Sequence, residues 1–442
     1  MPITRLGRDS WLPALFDTIG PFSTEDLIRL LAGDDTAYGG DGADTIYAGT
    51  GNDLVQGDAD QDLLYGEFGR DTLYGGAGSD GIDGGMGDDV IYGASWNTEA
   101  GDDADLIYGG SGRDTIYGGL GGDVIDAGSG NDVVTAGDGD VINGGTGTDQ
   151  VRIDYSPSSG ALLFVAPDAA AVFEAPAGIT TQNVEMWWIR GSDLNDSITG
   201  WDMSDSLMGG LGRDVLRGQG GDDDLDGGYG VDYLYGGAGD DSLDGDSLGY
   251  SDWSETPAPF GADYIDGGLG DDNAYGGALN DRIFGGGGGD VLGGDEGNDA
   301  LDGGSGDDDL RGGAGADSLI GGRGDDRIYS QSYLSSDAGL EADRVNAGTG
   351  NDFVSLGVGD LGFGGDGTGE VDRLRLDFGA LAPGQANYAT GVAYNLATQG
   401  QTLTTLANGA QLDGFESLDF YGGAGRDVVF GGLLSDDLDG GI

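Results

Sequence analysis

The chain has 442 residues, with 81 acidic and 17 basic side chains and a formal charge of −64, which speaks against nucleic acid as a partner because gripping phosphates takes positive charge. It holds no cysteine and no histidine, so thiolate nucleophiles, disulfides, His/Cys zinc sites and a Ser-His-Asp triad are excluded together. What remains is a hard, oxygen-liganded cation, for which calcium is the best match; the 98 glycines and the 37% apolar fraction then point to a chain whose order depends on that cation.

Residues 1–31 open with Arg5 and Arg8 and the patch from Trp11 to Phe16, which Pro13 and Asp17 interrupt, a poor core for a secretory signal. Ser23 or Thr24 can cap a helix over Glu25 to Leu31. Leu27, Ile28, Leu30 and Leu31 would let that helix cap the adjoining segment or anchor the chain to a surface. No run of about 18 apolar residues occurs anywhere, so no transmembrane helix is expected.

Residues 32–152 carry a nine-residue period. Gly39-Gly40-Asp41-Gly42-Ala43-Asp44-Thr45-Ile46-Tyr47 fits G-G-x-G-x-D-x-U-x, where U is a large aliphatic. The sixth-position aspartate recurs as Asp35, Asp44, Asp53, Asp62, Asp71, Asp80 and Asp89. After an insertion around Trp96 it returns as Asp105, Asp114, Asp123 and Asp132, and Asp140 and Asp149 close the block with one residue deleted. Glycines at the first, second and fourth positions permit positive φ and let backbone carbonyls converge in a tight turn. The last three residues of each unit favour a short strand whose central aliphatic points inward. One aliphatic per nine residues is too thin a core to offset the cost of ordering the unit, so metal bound at the turns must supply the difference.

Residues 153–191 leave the repeat and read as a β-rich spacer or cap, with Ala161 to Val165 and Gln182 to Ile189 as longer strands. Exposed, Trp187 and Trp188 could stack on a sugar ring; the competing reading has them close the end of the array. Residues 192–370 resume the period at Asp196, Asp205, Asp214, Asp223, Asp232 and Asp241, then at Asp263, Asp272, Asp281, Asp290, Asp299, Asp308, Asp317 and Asp326, and finally at Asp343, Asp352 and Asp360, with insertions near 246–260 and 330–342. Residues 371–421 echo the first spacer, and 422–442 start a further block with Asp427 and Asp436. Because Gly440-Gly441-Ile442 opens another unit, the natural chain is expected to continue.

This sequence resembles the RTX family, the nonapeptide-repeat proteins secreted by Gram-negative bacteria, over about two-thirds of its length, and roughly thirty units in register make the resemblance specific. The resemblance implies an all-β fold: a right-handed parallel β-roll, or β-helix solenoid, with two nonapeptides per turn and calcium between stacked turns. It also implies that the sixth-position aspartates, Asp427 and Asp436 included, hold about one ion each with help from glycine-turn carbonyls. Asp62 and Asp205 follow turns poor in glycine, and Asp140 and Asp360 sit in shortened units, so these four are expected to bind weakly or not at all.

No G-x-S-x-G, H-E-x-x-H or phosphate loop is present, so no enzyme is expected. The leading expectation is a secreted calcium-binding structural protein of the bacterial surface or matrix, exported by type I secretion. It would associate with itself through exposed tyrosines such as Tyr47, Tyr65 and Tyr74 or attach to surface polysaccharide. The alternative is the repeat module of a larger adhesin, toxin or enzyme.

Overall fold

The structure, a computed structural model, describes residues 18–20, 24–94, 103–156, 160–166, 178–246, 260–331, 342–357, 360–364 and 371–377, together with short strands at 4–6, 173–174, 393–395, 404–405, 411–413, 417–421, 428–430 and 437–439. Its named elements are all β-strands. They fall into two compact units, Met1–Pro157 with Leu163–Arg190, and Ser158–Leu162 with Gly191–Ile442.

Each unit is a parallel solenoid, because alternate nonapeptides stack on each other. In the first unit Thr45–Thr50 pairs with Leu63–Phe68, placing Ile46 opposite Leu64, while Thr36–Asp41 pairs with Leu54–Ala59, placing Ala37 opposite Val55. In the second unit Val215–Gly220 pairs with Tyr233–Ala238, and Ser206–Gly212 pairs with Asp224–Gly230. The strands are longer than the three residues expected: a full rung runs six residues, from the seventh position through the third of the next unit. The glycines continue the ladder rather than ending it, as the pairing of Gly110 with Gly128 shows.

The eighth-position aliphatics form the core as expected. Ile46, Val55, Leu64 and Leu73 in the first unit, and Leu207, Leu216, Leu225 and Leu234 in the second, are fully buried. Ninth-position tyrosines lie on the outer faces, where Tyr74, Tyr92 and Tyr117 stack at 4.7 and 4.6 Å. Tyr47 and Tyr65 stack at 4.7 Å, with the Arg29 guanidinium 4.2 Å above the Tyr47 ring. The ring spacing equals the spacing of hydrogen-bonded strands, so each column is set by the ladder beneath it.

One expectation and one alternative reading are corrected. The segment after Thr24 is no helix: Leu27–Arg29 is a strand aligned with Thr45, Ile46 and Tyr47. Seven residues make too short a helix to stand alone, whereas the nine-residue register puts Ile28 in the core at 2% exposure. Trp187 is likewise no exposed platform. It is fully buried and meets Phe164 edge-on at 5.1 Å, because Met186–Arg190 continues a sheet as another rung, with Trp187 opposite Val151.

The two spacers share one plan. Thr180–Gln182 extends one sheet of the first unit, and Phe173–Glu174 pairs with it antiparallel. Gln411–Asp413 extends a sheet of the second unit, and Thr404–Thr405 pairs with it antiparallel. In both places a two-residue reversed strand lies beside an added rung.

Turn backbones hold positive φ even where glycine is missing. Asp58, Asp60, Glu67, Gln219, Leu279 and Asp295 do so at 67° to 87°. Leu279, at φ 75° and 54% exposed, bears a left-handed cost of about 1–2 kcal/mol and buries little in return. Leu279→Gly is therefore expected to raise stability in calcium by about 1 kcal/mol, read from a denaturant melt; a melt at or below that of the parent chain would contradict this.

Candidate metal centre

The sixth-position aspartates are the most consistent feature of the interior. Every described one of those assigned from sequence is buried, with none more than 5% exposed. Asp427 and Asp436 lie outside the described residues. The burial results from strand alternation, since the sixth and eighth positions point to the same side.

The aspartates build two ladders in each unit. The backbone N–H of each donates to Oδ1 of the next aspartate in its column: Asp44 to Asp62 and Asp62 to Asp80 on one side of the first unit, at 2.7 and 2.8 Å, and Asp53 to Asp71 and Asp71 to Asp89 on the other, both at 2.8 Å. In the second unit the series from Asp214 to Asp232 and from Asp223 to Asp241 does the same at 2.8 and 2.9 Å. The usual spacing is 18 residues, yet the bonds from Asp80 to Asp105, Asp232 to Asp263 and Asp317 to Asp343 span 25, 31 and 26 without loss of geometry. The insertions leave the register untouched.

Asp26, Asp372 and Glu185 belong to these columns although they were not assigned from sequence. Asp26 donates its N–H to Asp44 Oδ1, and Asp372 Oδ1 accepts from Asp352 N–H. Asp149 N–H donates to Glu185 Oε2 at 2.9 Å, so a glutamate takes the aspartate's place in the spacer rung. A second, outer ladder was missed altogether. Fifth-position Asp and Asn side chains accept from the N–H one turn later, as from Asn52 N–H to Asp34 Oδ1 at 2.8 Å and from Asp240 N–H to Asp222 Oδ1 at 3.0 Å. Its sense is opposite to that of the inner ladders.

The second carboxylate oxygen is where metal chemistry enters. Oδ2 of Asp44, Asp53, Asp62, Asp71, Asp89, Asp214, Asp223, Asp263 and Asp299, among others, is buried and accepts no hydrogen bond. A buried oxygen left this way costs about 1–3 kcal/mol, and more when charged. Burial, reinforced by the neighbouring carboxylates, pushes the Asp44 and Asp53 carboxyls up to about 6 and those of Asp62, Asp214, Asp263 and Asp299 up to about 8. Backbone carbonyls converge on the same places. A Cβ set on Gly39 would lie 2.5 Å from Asp44 Oδ2 and 2.6 Å from Gly57 O, and one on Gly209 would lie 2.5 Å from both Asp214 Oδ2 and Gly227 O. At Gly39 and Gly209 only a hydrogen fits, whereas other units accept alanine at the same position, as at Ala48, Ala127 and Ala347.

Among the described residues no three acidic side chains gather in one cluster, so carboxylates alone do not make a site. The donor set is one carboxylate oxygen plus main-chain carbonyls, all hard oxygen. Such a set suits calcium, which takes six to eight oxygens in flexible geometry, better than magnesium or a transition metal. Asp62 matches its neighbours here, because Asp58 and Asp60 adopt positive φ in place of glycine. At Asp140, Asp196, Asp205 and Asp360 the chain itself reaches Oδ2, through the N–H groups of Gly137, Ser192, Trp201 and Gly357.

A family model for the RTX calcium-binding nonapeptide repeat matches residues 23–55, 56–91, 99–134, 117–151, 188–216, 202–230, 217–247, 260–283, 266–301, 275–310, 302–332 and 337–360, more than half of the chain. The chain belongs to the RTX family. Its repeats are calcium-binding repeats, and its fold is the parallel β-solenoid that the sequence pattern implied. The matched segments begin at residue 23, ahead of Asp26, in agreement with the rung that starts there. No curated protein matches the chain. Among the described residues no helix is long and apolar enough to cross a membrane.

Proposed function

We propose that this RTX chain is a secreted structural protein of the bacterial surface or matrix, which condenses on extracellular calcium and then associates with itself. The observation that carries the reading is the pair of buried carboxylate columns in each unit, whose Oδ2 atoms the protein mostly leaves without a hydrogen bond. Aspartates such as Asp44, Asp214 and Asp299 each supply one oxygen, glycine-turn carbonyls supply others, and bound calcium neutralises charge that the 17 basic residues cannot. Sites of the extracellular kind fill at roughly 10⁻⁴ to 10⁻³ M calcium, so such a chain stays unfolded where calcium is scarce and folds where it is plentiful. About one ion per nonapeptide would cancel most of the formal charge.

Self-association is supported by the outer faces of the first unit. Leu106, Val124 and Val141 occupy one row on successive rungs and are 42–46% exposed, next to Tyr108 at 44%. A continuous apolar row on a flat sheet is unusual on a monomer. Electron microscopy in millimolar calcium should show sheets or filaments that chelator disperses. Replacing Leu106, Val124, Tyr47 and Tyr65 by serine should leave the calcium-induced β-signal intact and abolish assembly. Dispersed rods from the parent chain in calcium would count against a structural role.

A further inference from the structure

In units without an insertion, the backbone at the second position decides whether Oδ2 of the sixth-position aspartate stays bare. Gly40, Gly76, Gly210 and Gly237 hold φ between 105° and 125°, and the N–H does not reach the carboxylate. The same is true where another residue accepts the strain. Asp58, Glu67, Gln219 and Asp295 keep positive φ, and Oδ2 of Asp62, Asp71, Asp223 and Asp299 stays without a hydrogen bond.

Four turns do the opposite. Gly137, Ser192, Trp201 and Gly357 are not in the positive-φ region. Their N–H groups turn inward and donate to Oδ2 of Asp140, Asp196, Asp205 and Asp360 at 2.6–2.7 Å. Hydroxyls add to this: Ser192 Oγ donates to the Asp196 carboxylate at 3.0 Å, and Ser330 Oγ to Asp360 Oδ2 at 2.8 Å. These aspartates also share a location. Among the described residues Asp196 and Asp205 open the two columns of the second unit, and Asp360 and Asp140 are the last sixth-position aspartates of theirs.

We infer that Asp140, Asp196, Asp205 and Asp360 hold no calcium, and that chain donors standing in the ion's place close the ladders at these ends without metal. The physical reason is competition for one lone-pair direction. An N–H at hydrogen-bond distance satisfies the buried oxygen and puts a positive dipole where a cation would sit, so an ion entering there must first break a bond. The two serines replace glycines at positions where a hydroxyl can reach the carboxylate. The column from Asp196 to Asp360 is closed in this way at both ends, and calcium is then needed only by the rungs between them.

The inference rests on the proposed calcium-driven folding, and counting bound ions separates the two. Native mass spectrometry of the full chain saturated with calcium gives the number of ions. Asp205→Asn and Asp196→Asn keep Oδ1 as an acceptor and should bind the same number as the parent chain. Asp214→Asn and Asp223→Asn should each lose at least one. Trp201→Gly, which frees the second position to adopt positive φ, should gain one. Loss of an ion from Asp205→Asn or Asp196→Asn, or no gain in Trp201→Gly, would overturn the inference while leaving calcium binding standing. An unchanged count in Asp214→Asn and Asp223→Asn would overturn both.

Discussion

In excess chelator the chain is expected to show strong β-sheet circular dichroism at pH 4 and to lose it by about pH 8.5, and millimolar calcium added at pH 8.5 should restore it. The direction is set by the buried columns. Burial raises the carboxyls of Asp44, Asp53, Asp71, Asp114, Asp214 and Asp299 from 3.8 to about 6, 6, 7, 7, 8 and 8, so the metal-free roll binds protons more tightly than the unfolded chain. That contribution to stability is complete below pH 3.8 and is lost as pH rises through 6 to 8. Calcium acts from the other side. It needs the ionised carboxylate, so its affinity grows over the same interval and the filled roll is steady where the empty one fails. General charge repulsion also weakens in acid, and salt distinguishes the two causes. About 0.5 M sodium chloride screens surface charge to a few ångströms but cannot fill an oxygen cage, so it should not rescue the fold at pH 8.5 in chelator. Equal β-content at both pH values in chelator would refute the ladder account.

The second large effect belongs to the core. Leu234 is fully buried between Leu216 and Ile265 in its column. A solenoid rung has a single such side chain, so Leu234→Ala removes most of the apolar filling of that rung and should cost about 2–5 kcal/mol in a calcium-saturated melt. Each rung contacts only its neighbours, so damage should stay local. Limited proteolysis is expected to open new cuts near residues 225–243 while Tyr47 and its surroundings remain protected. The neighbouring Tyr235→Ser, on the outer face, should cost much less. A Leu234→Ala chain as stable as the parent would mean that the eighth-position column does not hold the roll together.

The period made the architecture readable, because a glycine-glycine-x-glycine-x-aspartate unit needs positive φ, a buried acid and an inward aliphatic in fixed order. Residues that keep the period but lose the glycines were harder to see. Asp26 stands nine residues before Asp35, and Glu185 stands 36 after Asp149, so both fit the count, yet a capping pattern and a chemically different acid hid them. Trp187 comes two residues after Glu185 and so falls in the eighth position, which alone places it inside. The difference between Asp62 and Asp205 was not legible. Both come after glycine-poor turns, but Asp58 tolerates the left-handed region, where a short polar side chain can bond locally, and Trp201 does not adopt it. The sign of one dihedral angle separates the two carboxylates, and composition does not report it.

The ladders hold their register across spacings of 25, 31 and 26 residues as readily as across 18. Closing a longer segment costs only slowly increasing entropy, while the rungs on either side form the same bonds as anywhere else. The links from Asp80 to Asp105, from Asp232 to Asp263 and from Asp317 to Asp343 are therefore natural places to add an epitope, an enzyme domain or a binding peptide without redesigning the calcium-set rungs.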